Sequence, residues 1–154
     1  MNTVFLALGA NTGNKPISLL RSLSFIAKKI GKITAVSSVY ETIPEGFESE
    51  NKFLNMMVCV ETLMSPEKIL TVTQSIEKKI GRVTKSNDCY HDRIIDIDII
   101  ACNDLILNTE NLQLPHPHFH KRRFVLEPFN EIAPEYVHPV LHKTVWEILK
   151  EDIF

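Results

Sequence analysis

Within the run HDRIIDIDII, His91 to Ile100, two carboxylates stand two residues apart among isoleucines. A β-branched run with a period of two reads as a strand, on which alternate side chains share a face. Asp96 and Asp98 should therefore point the same way, together with Ile94 and Ile100. At a separation of about 7 Å and an effective dielectric of ~20, two such charges repel by roughly 2 kcal/mol. One explanation is an edge strand that carries charge against aggregation. The other is a cation site, because hard ions such as magnesium take oxygen ligands and share them with substrate phosphates.

Other residues suit the same chemistry. Gly81 to Arg93 forms a connection of about a dozen residues where 2 to 6 is usual, as a lid would. Arg82 and Arg93 stand at its ends, and closure could bring two guanidinium groups onto a transferring phosphoryl group; the alternative is a pair of solvated arginines. A second long connection, Ile43 to Lys52, precedes Phe53-Leu54-Asn55. Asn55 interrupts an apolar run, and its amide offers both donor and acceptor to a flat heterocycle with an amide-like edge, unless neighbouring backbone satisfies it. Phe53 shares that strand face and could stack on such a ring. The segment HPHFHKRRF, His116 to Phe124, is locally basic. Lys121, Arg122 and Arg123 suit phosphates or simply solvent, whereas Pro117 interrupts any His-x-His-x-His metal tripod. GANTGNK lacks P-loop spacing and reads as a turn and helix cap, and Met56 and Met57 read as core.

The elements that must position these residues follow from pattern. Thr3 to Leu8 reads as a strand closed by Gly9, Asn11 and Gly13. Asn14 can cap a helix with Pro16 in its first turn, a face of Leu19, Leu20, Leu23, Ile26, Ala27 and Ile30, and Gly31 as its stop. Strands are expected over Ile33 to Thr42 and Phe53 to Thr62. Ser65 and Pro66 open a second helix with the stripe Ile69, Thr73 (or Val72), Ile76 and Ile80, stopped by Gly81, and with Gln74 and Glu77 off the stripe. The aspartate strand completes the order β-α-β-β-α-β, an α+β ferredoxin-like arrangement with a mainly antiparallel sheet. Asn103 and Asp104 are expected to turn the chain into a hairpin toward Leu107. A proline-punctuated segment then leads to a final helix near Thr144 to Lys150.

Composition sets the bounds. With 154 residues, 44% hydrophobic and 23% charged, the chain suits one globular domain over 1–154. A net charge of −2 gives no general attraction to nucleic acid or anionic membrane, and a small anionic ligand fits better. Cys59, Cys89 and Cys102 show neither disulfide nor zinc spacing. No basic leader or long apolar run stands out, so a soluble, cytoplasmic protein is expected.

Taken together, ALGAN, SSVYET, FLN, GRV, DRIIDIDII, LPHP and EIAPE, in this order, resemble the 6-hydroxymethyl-7,8-dihydropterin pyrophosphokinase family of the folate pathway. The resemblance implies transfer of diphosphate from ATP to the pterin hydroxymethyl oxygen by a monomer, with two Mg2+ ions on Asp96 and Asp98. It makes Arg82 and Arg93 the catalytic arginines. It places Thr42, Pro44, Gly46, Phe53, Asn55, Tyr90 and Phe124 around the pterin, with Phe53 and Phe124 sandwiching the ring. Gln74, Glu77, Ile99, His116 and Arg122, with the two arginines, would contact ATP. The chain departs from the family pattern at His91-Asp92 and Thr84. A two-metal nucleotidyl transferase or cyclase also suits paired acids on such a sheet; an RNA-binding module shares the strand order, but the chain lacks its basic-aromatic pattern.

Overall fold

The computed structural model describes residues 1–43, 51–81 and 94–151. Its first strand, β1 (Asn2–Ala10), is apolar on both faces because both are covered. It pairs antiparallel with β4 (Phe53–Thr62) on one side and with β5 (Asp96–Cys102) on the other. Beyond β4 lie β2 (Lys32–Val36) and β3 (Tyr40–Thr42), giving the order β2-β4-β1-β5 with β3 also on β4. The expected strand from Ile33 to Thr42 is thus two strands. At the break Ser37 takes over the pairing: its N–H donates to the Met57 carbonyl at 2.9 Å, and its hydroxyl accepts from the Met57 N–H at 2.8 Å. With β2 and β3 counted as one interrupted strand, the ferredoxin-like order stands.

Two helices cover one face. The Asn14 side chain caps α1 (Lys15–Lys29) and the Ser65 hydroxyl caps α2 (Pro66–Ile80), each accepting an N–H three residues on. Their inner residues Leu19, Ile26, Ile69 and Ile76 pack on Leu6, Leu8, Val58, Ile97 and Ile99 of the sheet. Burying each such side chain stabilises the fold by roughly 1.5–3 kcal/mol. The α1 face is narrower than expected, since Leu20 is 62% exposed and Ala27 also faces solvent. Glu77, expected off the α2 stripe, is buried on it. Gly81 ends α2 at φ 126°, where a side chain would be strained.

The other face of the sheet is covered by the later part of the chain. Phe5, Met57, Cys59, Ile100 and Ala101 pack under Phe119, under Val125, Leu126 and Phe129 of α3 (Arg123–Ile132), and under Val145 and Ile148 of α4 (Val145–Lys150). Helix α3 departs from expectation, because a proline-punctuated segment without a helix was expected before Thr144; Pro128 lies inside it. Proline there forfeits one backbone bond, and burial of Val125, Leu126 and Phe129 on one side offsets the loss. The expected final helix is α4, capped by Thr144 and Glu147 reciprocally. After β5, Asn103 turns the chain at φ 53°; β6 (Leu107–Asn108) then pairs with β7 (Gln113–Leu114), so the hairpin involves these two short strands. Met56 and Met57 are core residues, and Cys59 and Cys102 are buried free thiols. Among the described residues no helix is long and apolar enough to cross a membrane.

Two positions yield stability predictions. A methyl group on Gly31 would lie 2.1 Å from the Glu61 carbonyl oxygen, a backbone atom that cannot move aside. Gly31→Ala should therefore destabilise by about 3 kcal/mol, read as a fall in the urea midpoint with unchanged m. His138 is buried against Phe119, and its Nδ1 accepts from the N–H groups of Val140 and Leu141, both at 3.1 Å. Burial first, then the neighbouring His120 and His142, lowers its pKa from 6.5 to about 4. The neutral ring is the folded form, so the His138 contribution is complete above about pH 6.5 and is lost as pH falls toward 4. His138→Asn, which keeps an acceptor and cannot titrate, should flatten the decline in melting temperature between pH 7 and pH 5.

Candidate active site

The register along β1 brings the two groups of candidate residues together. Asp96 lies opposite Gly9 and Asp98 opposite Ala7, while across β1 the same two residues face Asn55 and Met57. Directly paired residues of antiparallel strands project to one face, so Asp96, Asp98 and Asn55 share a face, separated by a hydrogen atom and a methyl group. The β1–β5 register shifts between Phe5 and Leu6, leaving Ile100 as an extra residue. Ile100 and Ala101 consequently both join the α3 side, while Asp96 and Asp98 occupy the same face at the strand's open end, half-buried. Ile94, expected beside them, sits in a bend before β5 and packs against the α1–α2 side.

Gly9 is the meeting point. A Cβ on it would lie 3.2 Å from Asn55 Oδ1 and 3.6 Å from Phe53 Cδ1, so the amide oxygen and the aromatic ring both lean over the bare backbone next to Asp96. The Asn55 Nδ2 donates to Thr42 Oγ1 at 2.5 Å, and Thr42 is the register partner of Phe53. Asn55 is thus held by a side chain of β3, with its oxygen turned to the aspartate side. A flat ring with an amide-like edge would find stacking surface and polar partners within one short stretch of sheet.

The expected nucleotide residues are placed differently from one another. Gln74 is exposed on α2. Glu77 is only 3% exposed, and its Oε2 accepts from the N–H of Ile97, the residue between the two aspartates, at 2.8 Å. It therefore braces the open edge of β5 from behind. The Ile99 side chain is in the α1–α2 core, so a ligand could meet this residue only through its main chain. His116 extends the edge pairing, its N–H donating to the Ile100 carbonyl at 2.8 Å, and its Nδ1 accepts from the His118 N–H at 3.2 Å. Arg122 precedes α3, its guanidinium 5.7 Å from the ring centroid of half-buried Phe124 in the first helical turn. Of the basic run, Arg123 pairs with Glu127 at 2.6 Å. His120 turns edge-on to His138, with centroids 5.6 Å apart. Pro44, Gly46, Arg82, Tyr90 and Arg93 lie outside the described residues.

Whether magnesium suits this face follows from its donors. Two carboxylates on alternate strand positions, opposite glycine and alanine on β1, offer oxygen donors to an ion whose remaining coordination would come from phosphate oxygens and water. Among the described residues no group of three or more His, Cys, Asp or Glu could hold a metal. That donor set fits a magnesium ion brought with a phosphate ligand better than a closed zinc site.

A sequence profile of the 7,8-dihydro-6-hydroxymethylpterin-pyrophosphokinase family matches residues 5–134. The chain belongs to this family. A Porphyromonas gingivalis 2-amino-4-hydroxy-6-hydroxymethyldihydropteridine pyrophosphokinase is 40% identical over 90% of this chain and 95% of its own length. The enzyme of the same name from Aquifex aeolicus is 34% identical over 99% of this chain and 93% of its own. A Plasmodium falciparum HPPK-DHPS structure with pteroate superposes with a TM-score of 0.78 at 21% identity, covering 97% of this chain. The chain spans 42% of that longer polypeptide, and the likeness speaks to the fold.

Within this pyrophosphokinase fold, sequence reasoning passed over the spacing role of Ala7 and Gly9. It used Asn11 only as a turn marker. Asn11 is 1% exposed and its Nδ2 donates to the Asn51 carbonyl at 3.4 Å, tying the end of β1 to the approach to β4. Counting residues back from each strand partner could have found Gly9, but only with the register known. Removing the brace behind β5 tests this geometry. Glu77→Ala leaves the buried Ile97 N–H without its acceptor and should cost about 1–3 kcal/mol. Amide exchange at Ile97 should accelerate, while Glu77→Gln, which keeps an acceptor oxygen, should restore most of the protection.

Proposed function

We propose that the chain transfers the diphosphoryl group of ATP to the hydroxymethyl oxygen of 6-hydroxymethyl-7,8-dihydropterin, releasing AMP, in folate synthesis. The observation that carries this is the convergence of Phe53 and Asn55 over Gly9, immediately beside Asp96. Phe53 and Asn55 meet beside the acids and are not scattered in the core, which favours this reading over a nucleotidyl transferase or cyclase.

In this reaction the pterin oxygen attacks the β-phosphorus and the bond to the α-phosphate oxygen breaks, so little covalent work falls to the protein. Asp96 and Asp98 would together hold two magnesium ions, the mutual repulsion of the carboxylates turning into attraction for divalent cations. Magnesium supplies neutralisation of the triphosphate and eases loss of the hydroxyl proton. Asn55 and Thr42 read the polar edge of the pterin, Phe53 and Phe124 hold its faces, and Pro44, Gly46 and Tyr90 are assigned to pterin binding by the family resemblance. Arg82 and Arg93 act on the charge of the transferring group. Gln74, His116 and Arg122 contact ATP; Ile99 does so through its main chain, and Glu77 contributes by holding β5. One domain over 1–154 carries this reaction, working as a monomer in the cytoplasm.

Incubation with ATP, magnesium and the hydroxymethyl pterin should release AMP. Asp96→Asn and Asp98→Asn should each lower kcat by on the order of 10³-fold or more with the circular dichroism and melting temperature kept. ADP as the product, or near-normal turnover in both variants, would sink the proposal.

A further inference from the structure

We infer that Glu131, remote from the acids, is a positioning residue for the pterin pocket: it clamps β3 to the end of α3 and so sets Thr42 against Asn55. The inference rests on the function proposed above. One carboxylate takes three donors at and just before the start of β3. Its Oε1 accepts from the Tyr40 hydroxyl at 2.6 Å and from the Ser38 N–H at 3.1 Å. Its Oε2 accepts from the same N–H at 2.9 Å and from the Ser38 hydroxyl at 3.1 Å. The bonds are charge-assisted, and they act on the protonation of both partners. Tyr40 is pushed up to about 12 chiefly by this hydrogen bond, and Glu131 is held below the usual carboxylate range first by Tyr40 and then by the Ser38 backbone.

The clamp matters because β3 is otherwise weakly held. It has three residues and, among the described residues, pairs only with β4, through Tyr40–Asn55, Glu41–Leu54 and Thr42–Phe53. So short an edge strand frays readily. The same three residues carry the ring-reading end of the site, since Thr42 Oγ1 takes the Asn55 amide and Tyr40 is the register partner of Asn55. Helix α3 carries Phe124, assigned to the pterin above, in its first turn and Glu131 in its last, so the clamp ties β3 to the helix that carries that ring. Asp96 and Asp98 belong to β5, on the other side of β1, and are supported independently by Glu77.

The test uses Glu131→Ala and Glu131→Gln in the full chain. In Glu131→Ala the KM for the hydroxymethyl pterin should rise roughly tenfold while kcat and the KM for ATP stay within about twofold. Glu131→Gln, which keeps an acceptor for Ser38 but not the charge, should fall between it and the parent. Backbone amide exchange over Tyr40–Thr42 should accelerate, with a melting temperature within about 4 °C of the parent. Unchanged pterin KM and unchanged β3 exchange would overturn the clamp. So would a uniform loss in both substrates that tracks a large drop in melting temperature. If the parent chain released no AMP, the proposed reaction would fail instead, and exchange in β3 would still decide whether Glu131 holds that strand.

Discussion

The double pairing of β1 is the constraint from which the site descends. Side chains alternate across a strand, so a slip of one residue against β4 or β5 would send Asn55 or the two aspartates into the α1–α2 core. The register is protected by the apolar residues that the alternation buries, Val4, Leu6, Leu8 and Ala10 on one side and Phe5 on the other. At the open end this strict packing gives way to Ala7 and Gly9, and the absence of side-chain bulk there is as much a part of the site as the polar groups around it.

Electrostatics and packing are in tension at β5. Three carboxylates surround one short piece of backbone, two facing the open end of the sheet and Glu77 behind them. A carboxylate as buried as Glu77 is tolerable only with donors in reach, and the Ile97 N–H is one because, among the described residues, β5 has no further strand on that side at this position. The unpaired edge is therefore used in place of being shielded. Concentrating negative charge in this way is costly for the empty protein and advantageous for one that binds a cation-bearing ligand.

Local signals revealed most elements, and register revealed the rest. The limits of β4 and α2 were legible because Phe53, Thr62, Ser65 and Gly81 each mark a change in pattern. Asp96 and Asp98 were legible because repulsive charges in an isoleucine run need a reason. Helix α3 was missed within a segment read as proline-punctuated; the local cost of Pro128 inside it is outweighed by contacts with distant β1 and β4 residues. Ser37 broke a strand by replacing a ladder bond with a hydroxyl, a substitution that no periodicity records. Glu77 looked like a surface acid on the helical wheel, because its partner N–H belongs to another element.

The cover over the second face of the sheet has a temporal consequence. Phe5, Met57 and Ile100 are hidden by Phe119, Leu126, Phe129 and Ile148, which all follow them in the chain. While the polypeptide is being synthesised, the sheet and its first two helices can assemble early with an oily side still bare. Any stall before those later residues emerge leaves a surface prone to association, so this protein's exposure to chaperones should be governed by the arrival of its C-terminal helices.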